Sequence, residues 1–195
     1  MNEKSIAVLG LGYVGLPLSV EFGKRRNVIG FDTDNSRLIE LKNGYDSTLE
    51  ITPQELNDAV YLSYTSTLDD IRKCEIYIVT VPTPIDKNKN PDLEPLKKAS
   101  QNIGDVLKKG DIVIYESTVY PGATEEVCVP LLENHSGLKF NKDFFCGYSP
   151  ERINPGDKKN LLKNTVKIVG SNSPKALDAM KTIYKRIIKI KNGLH

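Results

Sequence analysis

Residues 5–24 read SIAVLGLGYVGLPLSVEFGK, and this stretch decides the fold. Its first part, Ser5–Leu9, is a short apolar run of the kind that lies buried on both faces within a parallel sheet. Gly10, Gly12 and Gly15 follow at once, and from Gly15 to Lys24 the pattern turns helical. A GxGxxG alone is a weak pattern; between a strand and a helix it becomes specific. Gly10 permits the tight turn, Gly12 lets the backbone approach a diphosphate, and Gly15 lets the helix pack closely on the strand. The open N–H groups and dipole at the helix start then favour an anion. The competing reading is a glycine-rich turn that holds no ligand.

The alternation of short apolar runs with helical patterns continues along the chain. Val28–Phe31, Glu75–Val81, Asp111–Glu116, Phe144–Tyr148 and Val166–Val169 read as further strands. Asn35–Asn43, Pro53–Ala59, Leu93–Lys109, Gly122–Asn134 and Pro174–Lys185 read as helices, the last with Ser173 as cap before Pro174. Such repetition implies βαβ units with right-handed crossovers. The expected fold is α/β: a Rossmann-like, doubly wound, mainly parallel sheet with helices on both faces, residues 1–195 forming a single dinucleotide-binding domain. Pro82–Asp92 is the longest irregular stretch, at the strand ends where open α/β sheets bind ligands.

Asp32 ends the second strand seventeen residues beyond Gly15. A carboxylate there accepts the adenosine ribose hydroxyls and disfavours a 2′-phosphate, which points to NAD. Arg37 leaves two options open, a 2′-phosphate contact or a cover over the adenine. A net charge of +2, with no Lys/Arg run that stands out, gives no support to nucleic acid as a partner. Hydrophobic residues make up 39% and charged residues 27%, enough apolar material for a core. Cys74, Cys128 and Cys146 have no metal-type spacing and suggest reduced thiols. With no leader-like or membrane-length apolar run, a soluble cytoplasmic protein without a membrane partner is expected.

Three further stretches carry more information: Val81-Pro82-Thr83-Pro84, the segment ESTVYPG at 116–122, and GYSPERINPGDK at 147–158. Together with GLGYVGLP they resemble the UDP-glucose/GDP-mannose dehydrogenase family of nucleotide-sugar 6-dehydrogenases, over nearly the whole chain. ERINPGDK is most similar to the branch that oxidises UDP-N-acetylgalactosamine or UDP-N-acetylglucosamine in bacterial polysaccharide synthesis. UDP-glucose or GDP-mannose oxidation is the alternative within the family, and a non-catalytic dinucleotide-binding module the alternative outside it.

The resemblance implies oxidation of the sugar C6 from alcohol to carboxylate by two hydride transfers to NAD. It implies cofactor contacts at Gly10, Gly12, Tyr13, Val14, Gly15, Asp32, Arg37, Thr83 and Thr118. It implies substrate contacts along Tyr148, Ser149, Pro150, Glu151 and Arg152, with Glu151 and Thr118 as the catalytic pair and no metal. A buried carboxylate such as Glu151 suits a general base, and a Thr118 hydroxyl hydrogen-bonds without adding charge. On local sequence alone Thr118 reads equally as a helix cap, and Glu151–Arg152 as a surface pair.

The family's thiol nucleophile belongs to a Cys-Phe-Pro-Lys-Asp type motif in its C-terminal half, which this sequence lacks. The family's central helix and second domain likewise have no counterpart here. The expectation is a truncated, cofactor-binding half, inactive alone and holding the UDP-sugar weakly or not at all. A homodimer is implied for full-length relatives and left open for this chain. His135 has no recognisable orienting carboxylate in the sequence and is assigned no role.

Overall fold

A computed structural model describes residues 4–84, 91–150 and 167–188. Six strands form one sheet: β1 (Ile6–Leu9), β2 (Val28–Phe31), β3 (Leu62–Thr65), β4 (Ile76–Val79), β5 (Ile112–Tyr115) and β6 (Phe145–Tyr148), in the order β3-β2-β1-β4-β5-β6. All five pairings are parallel, with Val8 opposite both Gly30 and Ile78. The chain reverses its direction of travel across the sheet between β1 and β4. That crevice is where an open α/β sheet receives a ligand.

The central strands are buried on both faces, which is why they read as continuous apolar runs. Ile6, Val8, Ile76, Ile78, Ile112 and Ile114 point to one side, against helices α1 (Gly15–Gly23) and α7 (Pro174–Tyr184). Ala7, Leu9, Tyr77, Val79, Val113 and Tyr115 point to the other, against α5 (Glu94–Gly104) and α6 (Val129–Ser136). Each fully buried Leu, Ile or Val contributes about 1.5–3 kcal/mol, so this two-sided core dominates stability. A third cluster joins the outer face of α1 to α2 (Asn35–Lys42) and α3 (Pro53–Asp58) through Leu16, Val20, Leu38 and Leu56.

Helix starts are fixed by side chains that satisfy orphan N–H groups. Asp34 accepts from the backbone of Ser36 at 2.8 Å, Thr52 and Glu55 form a capping box, and Ser173 accepts from Ala176.

Several expected boundaries differ. β3 is absent from the sequence reading because LSYT is a half-exposed edge strand with no apolar run. A short helix α4 (Leu68–Ile71) was likewise not expected. The expected helix Leu93–Lys109 stops at Gly104, and residues 105–110 turn back towards β5. The expected helix Gly122–Asn134 opens as one π-helical turn, Thr124–Cys128, before α6. Residues 167–169 are not a strand (Val166 lies outside the described residues). What pairs instead is Gly170, in an antiparallel bridge to Tyr148 with 2.9 Å bonds in both directions.

Candidate dinucleotide site

The glycine turn follows from packing. Gly10 has φ +93°, a left-handed conformation, and a Cβ there would sit 3.2 Å from the Thr80 backbone. At Gly15 a Cβ would fall 1.8 Å from the Gly10 carbonyl oxygen and 2.4 Å from Thr80 Oγ1. At Gly12 it would meet nothing within 4 Å. The three glycines therefore answer three needs, and Gly12 alone faces open space where a diphosphate fits.

Charge agrees with this placement. The first turn of α1 carries no acidic residue, whereas the turn opening at Thr124 carries Glu125 and Glu126. An anion is favoured at the α1 start and opposed at the other.

Leu11, at the tip of the turn, is held on both sides. Its N–H donates to Asp32 Oδ2 at 2.8 Å, and its carbonyl accepts from Arg37 Nε at 2.9 Å. Arg37 is buried, pairs with Asp46 at 2.8 Å and also contacts Glu40. Burial alone would raise the Asp46 carboxyl, but hydrogen bonds from Thr48, Ile51 and Arg37 outweigh it and hold the group below its ordinary range. Thr80, which sequence reasoning passed over, donates to the carbonyls of Leu9 at 3.0 Å and Gly10 at 2.7 Å.

Two adjoining clefts open along the C-terminal edge of the sheet. One, of about 320 Å³, runs from Gly10–Val14 past Asp32 and Thr80 to Thr83, Glu116, Ser117 and Thr118. The other, of about 280 Å³, lies between Phe31–Thr33, Val81–Pro82 and the α5 residues Pro95, Lys98 and Asn102. Asp32 stands in both, and the first cleft runs on from it past the ends of β4 and β5.

Gly10, Gly12, Tyr13, Val14, Asp32, Thr83 and Thr118 thus come together, while Gly15 lies beneath as packing. Thr83 Oγ1 donates to the Thr118 carbonyl at 2.7 Å, and the Thr118 side chain is exposed. Thr118 is no helix cap: the helical turns begin at Ala123. Arg37 lines neither cleft. Its guanidinium is committed to Leu11, Glu40 and Asp46 beneath the turn.

The expected substrate segment is only partly in view. Tyr148 lines a third cavity, of about 380 Å³, with Tyr120, Glu125, Phe140 and Asn172 rather than the cleft of Thr118. Ser149 is fully buried, its N–H bonded to the Tyr115 carbonyl at 2.9 Å. Pro150 is half-buried, and Glu151 and Arg152 lie outside the described residues.

Among the described residues, the His and Cys side chains lie away from the clefts or are buried. His135 does have a carboxylate partner, Asp105, at 2.8 Å. Both stand at the C-terminal ends of their helices, at the sheet edge opposite the clefts. All three thiols are free and buried; burial pushes Cys74 up to about 11 and raises Cys128 and Cys146 as well. Among the described residues no cluster of three His, Cys, Asp or Glu could hold a metal ion, and no helix is long and apolar enough to cross a membrane.

The chain is 60% identical over 188 residues to UDP-N-acetyl-D-glucosamine 6-dehydrogenase of Pseudomonas aeruginosa, covering 96% of this chain and 44% of that protein. It is 56% identical to the protein of the same name in Salmonella typhi, with the same coverage. The structure of UDP-D-ManNAc dehydrogenase from Pyrococcus horikoshii superposes with a TM-score of 0.85 at 32% identity, over 96% of this chain and 46% of that one. The chain therefore spans about half the length of these relatives. Residues 4–188 match the model of the UDP-glucose/GDP-mannose dehydrogenase family, NAD binding domain, and to that family the chain belongs.

Proposed function

We propose that this chain is the coenzyme-binding half of a UDP-N-acetylhexosamine 6-dehydrogenase, oxidising the sugar C6 alcohol to a carboxylate with two NAD. What carries the reading is a single cleft that gathers the diphosphate turn, Asp32, Thr83 and Thr118. The name shared by the relatives at 60% and 56% identity favours UDP-N-acetylglucosamine over the galacto epimer. When bound, NAD supplies the hydride acceptor.

The chain's own residues orient it. The α1 start receives the diphosphate, Asp32 the adenosine ribose, and the Thr118 hydroxyl a substrate oxygen at the nicotinamide end. Glu151, by resemblance, takes the proton from the C6 hydroxyl. None of Cys74, Cys128 and Cys146 suits the aldehyde-capturing thiolate, because burial keeps each protonated. That nucleophile comes from the part of the family's length that this chain does not span. A product of this class is a uronic acid donor for polysaccharide synthesis.

Calorimetric titration of this chain with NAD tests the first half of the reading: saturable binding, weakened about a hundredfold by Asp32→Ala, is expected, and no binding by the parent chain overturns it. For the whole protein, NADH formation with UDP-N-acetylglucosamine, UDP-N-acetylgalactosamine and UDP-glucose is compared. Preference for UDP-glucose would overturn the N-acetylhexosamine assignment.

A further inference from the structure

Glu116 leads the ESTVYPG segment, immediately after β5, and lines the same cleft as Ser117 and Thr118. It is a buried carboxylate, 2% exposed. Lys167 Nζ lies 2.5 Å from its Oε2, and the Tyr184 hydroxyl of α7 donates to its Oε1. Lys167 is itself buried, with its ammonium 5.2 Å from the centroid of the Tyr184 ring. A lysine more than fifty positions away has been brought under the sheet edge to meet one carboxylate.

Burying two charges is costly, and a buried pair is often no more stabilising than apolar residues of the same size. Stability therefore gives little reason for this pair. Its position gives a better one. With adenosine at Asp32 and the diphosphate at α1, the coenzyme's nicotinamide end extends over β4 and β5, beside Glu116. That ring carries a positive charge as NAD and none after accepting hydride. A lone carboxylate there would hold the oxidised form and resist reduction; a lone ammonium would do the reverse.

We propose that Glu116 and Lys167 form a charge-balanced floor beneath the nicotinamide end, which sets the relative affinity for NAD and NADH. The inference rests on the coenzyme reading above. Glu116 lines the cleft and Lys167 does not, so Lys167 acts through the carboxylate it neutralises. Tyr184 fixes the carboxylate against α7.

The test is the ratio Kd(NADH)/Kd(NAD) for this chain, by calorimetry at about pH 6 and about pH 9. Lys167→Met leaves the carboxylate alone and raises the ratio about threefold or more at the higher pH. Glu116→Gln leaves the ammonium alone and lowers it by a similar factor at the lower pH. The double variant, which removes both charges, returns the ratio to within about twofold of the parent. Merely structural damage would weaken both forms together and leave the ratio still.

Should a single variant fail to fold, the reversed pair Glu116→Lys/Lys167→Glu keeps two buried partners and places the positive charge nearer the cleft. It lowers the ratio. Single variants that shift the ratio in the same direction, or a reversed pair with the parental ratio, overturn the proposal while the coenzyme reading stands. A parent chain that binds neither form overturns both.

Discussion

The Asp32 carboxylate accepts the Leu11 N–H at 2.8 Å, so the acid at the end of β2 builds the glycine turn as well as lining both clefts. Its other oxygen accepts from the Asp34 N–H at 3.0 Å. Two effects should therefore separate on substitution. Asp32→Asn retains an acceptor for Leu11 and is expected to weaken NAD about tenfold, whereas Asp32→Ala loses the turn bond too and weakens it about a hundredfold. The parent should disfavour NADP, and Asp32→Asn should narrow that gap by removing the carboxylate that opposes a 2′-phosphate. Calorimetry with both coenzymes checks this, and equal losses for Asn and Ala would refute the double role.

Gly12 and Gly15 should give opposite phenotypes. Gly12→Ala adds a methyl group into open space, so unfolding stability should change by less than about 0.5 kcal/mol while NAD affinity falls at least about tenfold. Gly15→Ala drives a methyl into the Gly10 carbonyl and Thr80, costing about 3 kcal/mol. Urea melts and NAD titration on the two variants distinguish these outcomes. A Gly12→Ala chain with intact binding would place the diphosphate elsewhere.

Arg37 should matter for the coenzyme without touching it. Removing its guanidinium with Arg37→Met frees the Leu11 carbonyl and leaves buried Asp46 unpaired, destabilising the fold by about 3–5 kcal/mol. NAD added at saturation should recover part of that loss, because binding favours the ordered turn. Thermal melts with and without NAD measure it.

Asp46 fixes an acid dependence. Its folded carboxyl titrates below the unfolded one, so the unfolded state takes up the proton first. The stability it contributes is complete above the unfolded value, about 3.9, and is lost as pH falls through the lower folded value. Asp46→Asn should cost about 2 kcal/mol near neutrality and flatten the stability profile below about pH 4. Urea denaturation across that range shows whether the slope changes.

The three thiols should be silent in the native state. With Cys74, Cys128 and Cys146 all buried and their thiols raised, a disulfide reagent should label none quickly and all three after denaturation. Rapid native labelling would show a thiol more available than its packing allows.

The sheet was legible wherever strands are buried on both faces, since β1, β2, β4 and β5 leave continuous apolar runs. Edge strand β3 leaves no such trace. Asp32 and the three glycines were legible because each meets a backbone requirement at a fixed spacing. Arg37 was identified as a residue of this region, yet its burial under the turn depends on Asp46 and Glu40, which no short motif links to it. Glu116 and Lys167 escaped for the same reason: their meeting is set by packing of distant segments. Thr80 looked like one more β-branched strand residue, and only its two carbonyl partners mark it out.

The strand order has a consequence for synthesis on the ribosome. β1 sits inside the sheet, with β2 on one side and β4 on the other. While only the first seventy residues have emerged, β1–β3 can pair, but the apolar flank of β1 stays uncovered until β4 arrives, and β5 and β6 then join outward in turn. A nascent chain halted between β3 and β4 displays an unpaired hydrophobic strand edge, the kind of surface that recruits chaperones or drives aggregation.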